Sequence, residues 1–137
     1  MRQAATKTGR SLFQSGPVLL AALLLVGLAK SLVSPATYAR VFTGVDVVDA
    51  LIGAVVGSVS AGNPIVSYVV GGELLTEGVG LVAVTAFLLS WVSVGVVQIP
   101  AEGLLLGRRF ALVRNGVSFG MAIVIALLTA LTLAALP

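Results

Sequence analysis

The chain has 137 residues, 58% of them hydrophobic and 9% charged, and its mean hydropathy of +1.15 lies far above that of a water-soluble domain. The net charge of +3 comes from basic residues beside apolar runs rather than along one polar face, which argues against nucleic acid as a partner. Cysteine and histidine are both absent, which excludes a disulfide framework, a thiolate or imidazole metal site and Cys- or His-based catalysis.

The charged residues leave four uncharged stretches, Ser11 to Ala29, Ala50 to Gly72, Gly78 to Ala101 and Asn115 to Pro137. Each is long enough to cross hydrocarbon, which takes roughly 20 helical residues. The expectation is an all-α integral membrane protein built as one transmembrane domain. Residues 1–14 read as a basic cytoplasmic tail, and Pro17 opens a helix predicted over residues 17–33, ended by Pro35. Arg2, Lys7 and Arg10 ahead of this stretch, with small residues after it, loosely fit a cleaved signal sequence. Three more apolar stretches follow, so the first is read as a retained span. The connecting segment mixes Tyr38, Arg40, Phe42, Asp46 and Asp49, a composition suited to a membrane interface, and Lys30 can snorkel to the same level.

The second stretch is interrupted by Gly62, Asn63 and Pro64. Proline removes a backbone donor and pushes the preceding residue out of helical geometry, so residues 46–75 are predicted as a broken helix pair, about Val47 to Ser60 and Pro64 to Leu75. If the break is the tip of a re-entrant hairpin, six basic residues share the cytoplasmic side and two lie opposite. That agrees with the preference of Lys and Arg for the cytoplasm. If the segment crosses completely, giving four spans, the bias reverses to three against five. Three spans plus a re-entrant hairpin is therefore the expectation, with the N-terminus cytoplasmic and the cell inner membrane as host. Residues 79–98 and 116–136 read as conventional spans, and residues 102–114 as a basic loop holding an interfacial helix.

The run GAVVGSVSAGNPIVSYVVGGELLTEGVGLVAVTAFLLSWVSVGVVQIPAEGLLLGRRFALVRN, Gly53 to Asn115, resembles one repeat of the predicted-permease family that includes organoarsenical efflux permeases. What recurs is a Gly-rich helix, a polar break with proline, a helix leading to a small-residue turn, a span beginning VTAFLL and a basic loop; the likeness extends weakly over Gly16 to Gly44. The chain is about half the family's length and lacks the cysteines that some members carry around the break. The resemblance implies a permease whose halves are separate polypeptides rejoined in a dimer, and the missing cysteines argue against soft-metal or arsenical transport by thiolate ligation.

The break concentrates Ser58, Ser60, Gly62, Asn63, Pro64, Ser67 and Tyr68 within an apolar stretch. Transporters bind substrates at such interruptions, where helix ends present unpaired amides and carbonyls; the competing reading is a kink whose polar side chains satisfy their own backbone. Glu73 and Glu77 can share a helical face, as a cation or proton site or as a wet interfacial turn, and Glu73 is the deeper of the two. Ser90 and Ser93, around Trp91, form a modest polar stripe that lines a path or bonds between helices. The expected substrate-binding set is Asn63, Ser60, Pro64, Ser67, Tyr68, Glu73, Ser90 and Ser93.

Small-xxx-small spacings at Gly53 and Gly57, Gly103 and Gly107, and Gly116 and Gly120 let helices approach closely, within one chain or between chains, and oligomerisation is the favoured use. Arg108, Arg109 and Arg114 are read as fixing topology and binding lipid headgroups. The leading expectation is a permease for a small solute or ion, a homodimer about a two-fold axis along the membrane normal whose broken hairpins meet near the midplane. No cofactor, metal or substrate chemistry is expected, since no serine here has its usual base. The alternative is an accessory or structural subunit of a larger membrane complex.

Overall fold

The computed structural model describes residues 16–18, 20–28, 31, 37, 40–60 and 63–136. The basic tail, the end of the first predicted span with Lys30 and Pro35, Tyr38 and Gly62 lie outside the described residues. Within them the chain is all-helical, with no strand. An apolar helix, Gly16–Leu28, precedes α1 (Asp46–Val59), α2 (Pro64–Thr76) and α3 (Leu81–Ser93). A 3₁₀ turn, Val96–Gln98, a short α4 (Ile99–Glu102) and a π turn, Gly103–Gly107, then lead into a long α5 (Arg108–Ala135).

Local chemistry explains these boundaries. Asp49, buried in the first turns of α1, accepts hydrogen bonds from Thr43 N–H (2.8 Å), Gly44 N–H (3.0 Å) and Thr43 Oγ1 (3.1 Å). Its carboxylate thus clasps the entry loop, where acidic groups suit the helix dipole. At α2, Asn63 is the N-cap, its Oδ1 accepting from Ile65 N–H (2.9 Å), and Pro64 takes the first helical position, where its missing N–H costs nothing. The helix predicted over residues 79–98 ends instead at Ser93. Val94 and Gly95 turn extended, and the Val-Gly-Val-Val sequence offers β-branched side chains and a flexible glycine where helix propensity is needed. The fourth predicted span is longer than expected: α5 begins at Arg108, within the segment read as a loop.

α3 is the central post, packed against α1, α2 and α5, whereas α1 and α2 touch each other sparsely. Gly53 lies against Ala83 and Gly57 against Phe87, so α1 and α3 run parallel. Gly71 meets Val84 and Leu88 while Leu74 packs with Val79, Ala83 and Val84, so α2 runs antiparallel to α3. The chain therefore reverses direction between α1 and α2. Contact of Asn115 with Gly95 and of Ala126 with Val82 and Ala86 makes α5 antiparallel to α3 as well.

The core is built from small groups. Ala50, Ala54, Val82, Ala86 and Ala126 form its centre, with Phe119, Ile123, Leu127 and Ala130 leaning on it. A Cβ on Gly53 or Gly57 would overlap the carbonyl oxygens of Ala83 and Phe87, so backbone meets backbone across this pair. This corrects the expected use of the first glycine pair in oligomerisation: Gly53 and Gly57 pack within the chain. Gly107 is needed for its φ of 94°, a left-handed conformation that favours glycine. Gly116 and Gly120 face open space.

At about 1.5 Å per residue, α1, α2 and α3 are each about 20 Å long and α5 about 42 Å. Among the described residues, the helical run Leu81–Ala135 is the one long and apolar enough, by length and composition, to cross a membrane. Many large apolar side chains face outward on it, among them Leu112, Val117, Leu128 and Leu131, consistent with membrane association.

The glycine pairs separate by substitution. Gly57→Ala forces the α1 and α3 backbones apart and is expected to cost about 1–3 kcal/mol, as overpacking does. Gly116→Ala and Gly120→Ala leave the fold intact or gain about 1 kcal/mol each from helix propensity. Reversible unfolding of the three variants in detergent micelles, followed by circular dichroism, measures the difference.

Candidate functional site

Because α1 and α3 are parallel and Gly57 lies beside Phe87, Ser60 and Ser90 stand at the same depth, one turn farther on. The end of α1 also reaches the Val96–Gln98 turn. The break therefore lies level with the end of α3. The reason is the early stop of α3 at Ser93, which brings the end of that helix alongside the reversal.

The predicted residues divide by surroundings. Ser60 caps the end of α1 and its hydroxyl donates to Val56 O (2.8 Å). Ser58 Oγ donates to Val55 O (2.8 Å), Ser67 Oγ to Pro64 O (2.7 Å) and Ser93 Oγ to Leu89 O. Each of these hydroxyls is satisfied by its own helix, the pattern expected of a polar kink. Asn63 and Pro64 are exposed at the tip, and Tyr68 is 64% exposed and turned away from the core. Glu73 sits at the other end of α2, about 15 Å along the helix from Asn63 at 1.5 Å per residue, where its Oε1 accepts from Thr76 Oγ1 (2.9 Å). Sequence had grouped it with the break; the helix axis separates them.

Two donors differ from the rest. Ser90 is fully buried (0% exposed), and neither its Oγ nor the buried Trp91 Nε1 has a partner among the described residues. Phe87 holds the Trp91 ring edge to face, with centroids 5.3 Å apart. A buried donor without a partner costs about 1–3 kcal/mol, so two in one turn mark a place suited to an added acceptor. Beside the tip, Asn63 and Val66 line an open groove of about 420 Å³ with Pro17, Val18, Ala21 and Leu25 of the first helix.

At the same end lies a network that sequence reading missed. Asn115, buried on α5, accepts from Gly95 N–H through Oδ1 (3.0 Å), and its Nδ2 donates to Glu102 Oε2 (3.0 Å) and Ala111 O (2.9 Å). Arg114 pairs with Glu102 Oε1. One amide thus satisfies a backbone donor freed where α3 ends and ties that end to α5. The available signal was the lone acid Glu102 between apolar runs, 12 residues before Arg114 and 13 before Asn115. Among the described residues, no group of three or more Asp, Glu, His or Cys side chains could hold a metal ion.

No family model, curated protein or solved structure matches the chain.

Asn115→Ala leaves the Gly95 amide and one Glu102 oxygen without their partner. It is expected to lower stability by about 1–3 kcal/mol. Asn115→Gln, with its longer stem, restores little of the loss. Chemical denaturation of both variants in micelles reads this out.

Proposed function

We propose that the chain is a membrane-embedded half-permease that moves a small solute or ion along a path beside the α1–α2 reversal, two copies completing the pathway. The observation that carries this reading is the pair of buried, unpartnered donors, Ser90 Oγ and Trp91 Nε1, at the depth of that reversal. A solute with carbonyl or anionic oxygens would accept both hydrogen bonds. Intramembrane polar groups are expensive, and those without protein partners are best explained by a passing ligand or water. Asn63, at the tip and against the groove, is the entry ligand in this scheme.

The opposite directions of α1 and α2 support a re-entrant hairpin, with three further segments crossing and the N-terminus in the cytoplasm of the host cell. The dimer finds its support in Gly116 and Gly120, which leave an open notch on the outer face of α5. Small residues of this spacing let two helices approach closely.

A second reading, an accessory subunit packed against a larger membrane partner, is favoured by a different observation: Ser58, Ser60, Ser67 and Ser93 are all spent on their own helices. In that case the outward apolar faces serve the partner and nothing passes through.

Transport decides between the two. The purified chain in proteoliposomes should move its solute in a screen of small anions and neutral amides, and Ser90→Ala with Trp91→Phe should reduce the rate at least tenfold without changing assembly. Asn63→Ala removes both the cap, worth about 1 kcal/mol, and the proposed ligand, whereas Asn63→Ser keeps the cap. Loss of transport in both variants supports ligation by the amide, and recovery in the serine variant reduces Asn63 to a cap. Unchanged flux in all of them rejects the permease. Single cysteines at Val45 and Thr76, which flank the α1–α2 pair, should label from the same face of the membrane; labelling from opposite faces defeats the hairpin.

A further inference from the structure

From Val96 to Gly107 the chain buries no residue. Within this corner Leu104, Leu105 and Leu106 are 87%, 85% and 61% exposed, and Phe110 stands out beside them. A groove of about 380 Å³ opens under the leucines, lined by Ile99, Pro100, Gly103, Leu104, Arg108 and Leu112. Intramolecular packing gives these side chains nothing to do.

The arginines next to them are not equivalent. Arg114 is committed to Glu102. Arg108 and Arg109 make no ion pair or hydrogen bond among the described residues. They also occupy the first turn of α5, which contains no acid, and there the positive end of the helix dipole disfavours cations. Folding alone does not reward that placement; an anion supplied from outside does.

We propose that this corner is a binding site for anionic phospholipid, with Leu104 to Leu106 in the acyl region, one acyl chain along the Ile99–Leu112 groove and the headgroup phosphate on Arg108 and Arg109. Three adjacent apolar side chains followed by two cations reproduce the order met at a bilayer boundary, apolar interior and then charged headgroups. The corner lies within the stretch Leu81–Ala135 that is, by length and composition, apolar enough to cross a membrane, and its leucines adjoin the exposed Leu112 and Val113 of α5. Arginine suits phosphate by its planar, bidentate fork. The site rests on the membrane reading and is independent of transport: a chain that moves nothing would still carry it.

The test uses the full chain with Trp91→Phe, which removes the native emission, and Leu105→Trp, reconstituted in phosphatidylcholine vesicles and titrated with phosphatidylcholine or phosphatidylglycerol brominated on the acyl chains. The expected result is quenching of the new tryptophan by both lipids, with phosphatidylglycerol preferred by about fivefold for each arginine, the factor that about 1 kcal/mol per basic residue near an anionic surface implies. Arg108→Gln and Arg109→Gln should each remove about fivefold of that preference, and Arg114→Gln should leave it unchanged. Emission quenched by aqueous iodide but not by brominated lipid overturns the proposal, as does an undiminished preference for phosphatidylglycerol in both single variants.

Discussion

The contact of α1 with the backbone of α3 governs this structure. Gly53 and Gly57 present no side chain, so the carbonyl oxygens of Ala83 and Phe87 come down onto the α1 backbone itself. At that separation dispersion forces and weak Cα–H···O contacts replace the interlocking of large side chains. The rest follows from this approach. Buried alanines at 50, 54, 83 and 86 keep the facing side chains short, and α3, held on that side, offers α2 and α5 its other faces.

Much of the helical layout was legible. Pro64 and Asn63 announce a helix start by the chemistry of the first turn, and the structure begins α2 there with the Asn63 cap in place. The all-helical character followed from composition. Less legible was the end of α3, because mean apolarity continues through Val94, Val96 and Val97 while helical geometry does not. Hydropathy measures the preference of side chains for lipid and is blind to the propensity of the backbone. The same blindness hid the beginning of α5 inside a segment that its arginines made look like a loop.

Glycine spacing shows a different limit. Three pairs share one spacing, yet one pair packs inside the fold, Gly107 of another serves a left-handed turn and the last looks outward. Spacing says that two positions lie on one face; the neighbours of that face come from the whole fold. Hydroxyl counts misled in a similar way. Three serines that enriched the break in polarity, and Ser93 on α3, return their hydrogens to carbonyls three or four residues back, and the buried donors left over are Ser90 and Trp91. Asn115 was passed over because it marks the edge of a charged segment, although it is the side chain that closes the end of α3.

The parallel pairing of α1 with α3 has a consequence for synthesis. Ala83 follows Gly53 by 30 residues, so α1 leaves the ribosome before the surface that will cover its bare glycine face has emerged. During that interval the helix is without its closest companion, which is still inside the ribosome. Docking of α1 is therefore a late event that follows the arrival of the Leu81–Ser93 segment, and whatever holds α1 in the meantime determines how many chains reach the finished bundle.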